Sequence, residues 1–380
     1  MRKKIIIITT VFIAVIVAFL LLPGNFYLRR AIIHGNVNVD DYKIFENRII
    51  AAGNPQPWPI SKKYNNRPIP KSYNAFLTEF KTVAFIVIKD DSVLHESYFN
   101  NYSQNSLSNS FSVAKSIISL LIGIAVDEGY IKNLDEPVCN YFPEFNNAQN
   151  SKLTIRQVLT MSSGLNWDEA YSSPFSLTTK AYYGNNLRKL IADLKVTDEP
   201  GKRFKYLSGN TQLLAFILEK ATGKHLADYA SEKLWKPMGA CNDALWCLDE
   251  KDGMEKAYCC FNSNALDFAR IGQLILNKGK WNGKQVISEK YIEEATSPAK
   301  WLENEWGAKP LDYYGYQWWI TSHKGKKVVY ARGILGQYIF VIPEDKLVIV
   351  RLGEKRCNLR TGNLPSDIYI WLNLGTTLSQ

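Results

Sequence analysis

The sequence predicts an α+β fold, an antiparallel sheet flanked by helices with a helical subdomain inserted into it. Three observations predict it. Strand-like runs occur at residues 82–99 and again beyond residue 313, helical patterns dominate residues 184–300, and a long apolar run after Phe111 carries a single lysine as its only charge. Strands near both ends with helices between them imply one sheet assembled from two distant parts of the chain. The sequence shows no internal repeat.

The chain opens on Arg2-Lys3-Lys4, and residues 5–22 follow without a charge. That length just spans a hydrocarbon core. No small-x-small cleavage site closes the run before Pro23-Gly24, so residues 1–24 read as an uncleaved signal anchor with one transmembrane helix rather than a cleaved signal peptide. The basic residues lie close before the span, whereas Arg29 and Arg30 follow at a distance. The charge bias therefore puts the N-terminus inside and the bulk outside. The expectation is a single-pass protein that meets the membrane through residues 5–22, with its main domain outside the cytoplasm, at a bacterial inner membrane or in a periplasm.

Residues 25–74 carry Pro55, Pro57, Pro59, Pro68 and Pro70 and read as a linker and lead-in segment, leaving 75–380 as the globular domain. Residues 82–88 are β-branched and apolar. Lys89-Asp90-Asp91-Ser92 and a second run over 93–99 complete a hairpin, with His95 a structural residue on its second strand. Thr154 reads as a helix N-cap, with Ser162-Ser163-Gly164 closing that helix. Helical patterns cover 186–195, 211–222, 226–234, 267–276 and 288–295. Strands are expected at 313–320, 327–330, 337–342 and 346–352, and an amphipathic helix at 365–374.

Hydrophobic residues at 46% and charged residues at 22% suit a packed core rather than a disordered chain. The net charge of +10 is scattered rather than gathered into a stripe, and no nucleic-acid motif accompanies it, so the basic surface fits an anionic membrane or cell wall and not nucleic acid. No Cys-x-x-Cys pair has a matching partner, which argues against a zinc site. Cys241 and Cys247 can pair in an oxidising compartment. Adjacent Cys259 and Cys260 would point to opposite faces of a strand and read as packing residues.

Chemistry concentrates around Ser112-Val113-Ala114-Lys115. In a helix these two polar residues share one face about a turn apart. Ser112 falls in the first turn, where free N–H groups and the positive dipole end favour an oxyanion. Lys115 lies in a buried segment, and desolvation lowers its proton affinity towards that of a useful base. The bland alternative is an N-cap serine and a snorkelling lysine. Ser297-Pro298-Ala299-Lys300 has the same spacing but reads as a chance match in a surface turn. Tyr206-Leu207-Ser208 sits in a loop at a helix start, after Pro200-Gly201. A phenol there, with its pKa lowered by the Lys115 ammonium, can take the Ser112 proton and pass it to a leaving group, although Tyr206 is also one of 21 tyrosines. Ala331-Arg332-Gly333-Ile334-Leu335-Gly336 brings two glycines to a strand, allowing close approach of a substrate and free N–H groups for an oxyanion hole, or else a simple bulge.

In this order the three constellations resemble the serine β-lactamase and penicillin-binding-protein superfamily, in its class C-like branch of esterases, D-aminopeptidases and 6-aminohexanoate-dimer hydrolases. Ser112-Val113-Ala114-Lys115 matches its Ser-x-x-Lys, and Tyr206-Leu207-Ser208 its Tyr-x-Asn/Ser. Leu153 to Leu165, Asp127-Glu128-Gly129, Leu134-Asp135-Glu136-Pro137-Val138 and Asp267-Phe268-Ala269-Arg270-Ile271-Gly272 are typical of these proteins, and the likeness runs over 75–375. It implies the β-lactamase/DD-peptidase-like architecture and acyl transfer to Ser112 and then to water. Lys115 and Tyr206 would share the acid–base role. The Ser112 and Ile334 N–H groups beside Gly333 would form the oxyanion hole, and Ser208 would bond Lys115 or the substrate. No metal or cofactor is required.

Two departures bear on the substrate. Ala331 stands where relatives carry the basic residue of Lys-Thr-Gly or His-x-Gly, and strand alternation aims Arg332 at the other face. Ser208 replaces asparagine, as in the esterase and aminohexanoate-oligomer hydrolase members. Both favour hydrolysis of a small-molecule or short peptide-like ester or amide of low acidity. The rival readings are a penicillin-binding DD-peptidase or β-lactamase, and a non-catalytic sensor or scaffold. A Ser-His-Asp hydrolase is disfavoured by the absence of a Gly-x-Ser-x-Gly elbow.

Overall fold

The computed structural model describes residues 2–362 and 364–380. Helix α1 (Arg2–Leu21) buries none of its side chains, and its length and apolar composition are those of a candidate membrane span. A short turn, in which the Asn25 side chain donates to the Phe19 carbonyl, joins it to α2 (Phe26–His34). Then come β1 (Asn47–Ile50), α3 (Asn74–Glu79), the hairpin β2 (Thr82–Lys89) and β3 (Ser92–Tyr98), and β4 (Ser108–Asn109). Helix α4 (Val113–Asp127) follows, then α5 (Ile155–Leu159), α6 (Leu177–Tyr183), α7 (Leu187–Ala192), α8 (Ser208–Thr222) and α9 (Leu226–Ala230). Strands β5 (Ala244–Cys247) and β6 (Phe261–Ser263) precede α10 (Ala265–Leu276), the two-residue strands β7 (Lys280–Trp281) and β8 (Lys284–Gln285), and α11 (Glu289–Ala295). The chain ends on β9 (Trp319–His323), β10 (Lys326–Gly333), β11 (Gln337–Ile342), β12 (Leu347–Gly353) and α12 (Asp367–Leu378).

The main sheet has the order β3-β2-β12-β11-β10-β9 and is antiparallel throughout, so the early hairpin does join strands from the far end of the chain. One face, with Ile86, Ile88, Ile339, Val348 and Val350, packs into the same core as α4 and α10. The other face, with Phe85, Val87, Tyr330, Phe340 and Ile349, meets Trp371 and Leu372 of α12. Burial on both faces is why these strands read as continuous apolar runs rather than strict alternations. Helix α10 seats closely on the sheet: a Cβ at Gly272 would lie 2.5 Å from a Val348 methyl carbon. Helix α4 is buried all round from Val113 to Ala125, as apolar side chains on every face require, and it carries Lys115, Ser116 and Ser119 into the interior with it.

The structure changes four readings. The strand expected at 313–320 begins only at Trp319, because Tyr313 and Tyr314 turn back onto the Trp319 ring instead of extending. The segment 25–74 is built into the domain: Tyr27 and Leu28 of α2 are buried, and β1 pairs with β5. That pairing belongs to a second sheet, β1-β5-β6-β4, which the sequence reading did not contain. Cys259 and Cys260 form a disulfide with each other, since they occupy a turn, with Cys260 at φ +66°, rather than a strand. Cys241 and Cys247 are unpaired thiols.

Candidate active site

Ser112 takes the N-cap position of α4, but its hydroxyl does not cap the helix. The residue before it, Phe111, has φ +45°, and this left-handed turn is held by the Asn109 side-chain oxygen, which accepts from Phe111 N at 2.8 Å and from Cys260 N at 3.1 Å. Ser112 is half-buried in a stretch otherwise out of solvent. The Lys115 ammonium donates to Ser112 Oγ at 3.0 Å and to the Tyr258 carbonyl at 2.8 Å. Burial lowers the Lys115 pKa to about 8, against the opposing pull of the Glu169 carboxylate. A lysine so placed loses its proton far more readily than one in water, and it already touches a hydroxyl.

Tyr206 closes the group from the loop before α8. That loop is cradled by the stretch after α5: Lys205 N donates to Met161 O at 2.7 Å and Gly201 N to Ser162 O at 2.8 Å. Helix α5 itself starts at the Thr154–Gln157 capping box. The Tyr206 ring centre lies 5.2 Å from Lys115 Nζ, and Ser112 is among the groups that lower the pKa of the phenol. Its pKa is raised, first by burial and then by the charge of Glu169, despite the lowering effects of Ser112, Arg332 and Arg356. The expected depression of the phenol by Lys115 is therefore reversed. The ammonium faces the ring, and burial sets the sign, with the carboxylate adding to it. Of the pair, Lys115 is the better base and Tyr206 a neutral phenol.

Ser208 does not bond Lys115. Its Oγ donates to Glu169 Oε1 at 2.6 Å and its backbone N–H to Oε2 at 2.7 Å. Glu169 is the residue that the sequence reading missed. It lies in Trp167-Asp168-Glu169-Ala170-Tyr171, where an acid among aromatics is the only hint.

The third constellation ends β10 beside the nucleophile. A Cβ on Gly333 would lie 2.4 Å from Ser110 O and 3.1 Å from Phe111 Cβ, so only glycine lets the strand come this close. Among the described residues, the N–H groups of Ser112 and Ile334 have no hydrogen-bond acceptor. Ala331 is buried on the sheet face towards α4. Arg332 points to the other face, as alternation requires, yet its guanidinium stacks 3.4 Å from the Trp319 ring centre, and Trp319 packs 5.5 Å from the Tyr206 ring. Trp318 is core. Ser297 and Lys300 belong to a surface turn after α11, where Ser297 Oγ donates to Glu293 O. His95 lies on β3 and bonds Ser97.

The sequence model of the family described as Beta-lactamase matches residues 74–356. A 6-aminohexanoate-dimer hydrolase from Paenarthrobacter ureafaciens is 30% identical over 293 residues, 73% of this chain and 74% of that protein. A solved Bacillus anthracis structure, named provisionally as a 6-aminohexanoate-dimer hydrolase, superposes with a TM-score of 0.76 at 24% identity over 90% of this chain and 92% of that one. A family VIII carboxylesterase gives 0.64 at 16% identity over 87% and 100%.

Proposed function

The chain belongs to the beta-lactamase family of serine hydrolases, and from that membership we propose that it cleaves an ester or amide bond through an acyl-enzyme on Ser112. The observation that carries this reading is the 3.0 Å contact between Ser112 Oγ and a buried lysine whose pKa lies at about 8. With Lys115 neutral, the same contact runs in reverse. The Ser112 proton moves to Nζ as Oγ attacks the carbonyl carbon, and the N–H groups of Ser112 and Ile334 receive the oxyanion. Tyr206 gives its proton to the leaving group as the tetrahedral intermediate collapses and is reprotonated from Lys115. Water then attacks the acyl-enzyme by the same steps. Gly333 keeps the Ile334 amide near Ser112.

The substrate we propose is a small-molecule or short peptide-like ester or amide. Ala331 offers no cation where a β-lactam or peptide carboxylate would dock, and the relatives just described are named for an amide and an ester substrate. Residues 1–24 act in this reading as a signal anchor that holds the hydrolase domain, residues 75–380 with the segment 25–74 packed into it, outside the cytoplasm. The unburied, apolar α1 supports it.

Intact mass of the full chain in detergent, after a fluorophosphonate and separately after penicillin, tests the reading. Adduct formation with the fluorophosphonate that vanishes in Ser112→Ala, with little penicillin adduct, is the expected result. A stable penicilloyl adduct on Ser112 would move the assignment to a penicillin-binding peptidase. No adduct with either reagent would leave a sensor or scaffold.

A further inference from the structure

Glu169 lies outside the Ser112–Lys115–Tyr206 set, yet it gathers hydrogen bonds from three neighbours. It accepts from Ser208 N at 2.7 Å, Ser208 Oγ at 2.6 Å, Trp167 Nε1 at 2.9 Å and the Tyr171 hydroxyl. Such convergence on one exposed-loop carboxylate is more than solvation of a surface charge requires. Taking the Ser112 acyl-enzyme reading as its basis, we propose that Glu169 is the positioning residue of this site. It caps the start of α8 from another segment of the chain, fixing the Tyr206 ring beside Lys115, and it is the counter-charge to Lys115.

The first part follows from how α8 begins. Its N-cap is Leu207, whose side chain accepts no hydrogen bond, so the opening N–H groups of a fifteen-residue helix need an acceptor from elsewhere. Glu169 supplies one, and it places a full negative charge at the positive end of the helix dipole. Tyr206 is two residues upstream of the amide it holds, so the carboxylate and the Met161 carbonyl grip the Tyr206 turn from both sides. The Ser208 hydroxyl, asparagine in many relatives of this motif, serves that grip rather than the reacting atoms.

The second part follows from what faces Lys115. Its neighbours are the Ser112 hydroxyl, the Tyr258 carbonyl and the rings of Tyr206 and Tyr258, none of them anionic. Among the described residues, Glu169 is the carboxylate whose field reaches the ammonium, and the same charge is felt by Tyr206, Tyr258 and Tyr314. Tyr171, Trp167 and Ser208 are the polar groups that face Glu169 itself. Removing the charge while keeping the shape lowers the proton affinity of Lys115 and leaves its neutral form available at lower pH. A residue that merely braces a loop would not do this.

The test is the rate of fluorophosphonate labelling against pH for the full chain in detergent, comparing wild type, Glu169→Gln and Glu169→Asp, with thermal melts to verify folding. Glu169→Gln is expected to move the rising limb to lower pH and to cut the plateau rate about tenfold, the effect of losing roughly 1.4 kcal/mol of charge-assisted bonding. Glu169→Asp keeps the charge and shortens the reach. It is expected to leave the limb in place and lower the plateau, and it decides the matter if Glu169→Gln does not fold. A limb and plateau unchanged in either folded variant would overturn the proposal. A wild-type chain unlabelled at every pH would overturn the Ser112 reading itself, and this one with it.

Discussion

Lys115 and Lys256 are two lysines in nearly the same physical setting. Both side chains are essentially out of solvent, and burial lowers both pKa values from near 10.5 to about 8. Both also donate to backbone carbonyls, Lys115 to Tyr258 and Lys256 to Ala181 at 3.2 Å. They differ in what else they touch. Lys115 meets a half-exposed hydroxyl, whereas Lys256 meets the Phe45 ring and the carbonyls at the end of α6. A perturbed lysine is common to a helix-end brace and to a catalytic base. Only a reactive partner that solvent can reach separates them.

The sharpest way to break this comparison is to remove each amine in turn. Lys115→Met should lower the fluorophosphonate labelling rate by about 10²–10⁴-fold, the usual range for a lost general base. Lys256→Met, in folded protein, should label like wild type. Equal losses would mean that Lys115 also acts only as a brace. A smaller but still large effect is expected for Gly333→Ala. The added carbon meets Ser110 O at 2.4 Å, so β10 must retreat from Ser112, at about 1–3 kcal/mol of stability and with slower labelling, read by a denaturant melt and the same assay.

The pH dependence sharpens the contrast further. If neutral Lys115 is the base, wild-type labelling should rise with pH through a midpoint near 8 and level off above it. Lys256 should show instead in stability. Its folded pKa lies below the unfolded one, so between about pH 8 and 10.5 the unfolded chain holds a proton that the native chain has lost, and stability rises with pH across that window. Lys256→Met should flatten part of that rise in urea titrations at pH 7.5 and 10, and leave the labelling midpoint alone. The smallest effect is expected at the other Ser-x-x-Lys. Ser297→Ala should change neither the labelling rate nor stability by more than ~0.5 kcal/mol, as measured in the same two assays.

The parts legible in the sequence were those with a local signature. The hairpin of β2 and β3 announced itself by β-branched runs around Lys89-Asp90-Asp91-Ser92, and α4 by a long, mostly apolar run with Lys115 inside it. The second sheet was hidden because its strands run two to four residues, too short for any alternation to show. Tyr206 was singled out by its motif, but the sign of its pKa shift was not, since that depends first on how deeply the fold buries the phenol and then on Glu169, which no spacing rule connects to Ser208. The cysteine pairing failed for a similar reason. Whether neighbours form a disulfide depends on whether the backbone turns there, and Cys260 at φ +66° turns it.

The strand order has a consequence for how the chain comes into being. Arg351 on β12 donates to the carbonyl of Phe80, 271 residues earlier, and β12 lies between β2 and β11 rather than at an edge. During synthesis, the hairpin and the largely apolar α4 therefore emerge long before the strands that cover them. The growing chain must carry that greasy surface unprotected until its last tenth is made. Premature termination or proteolytic clipping near residue 345 would remove the middle of the sheet, so a shortened product should aggregate rather than retain partial activity.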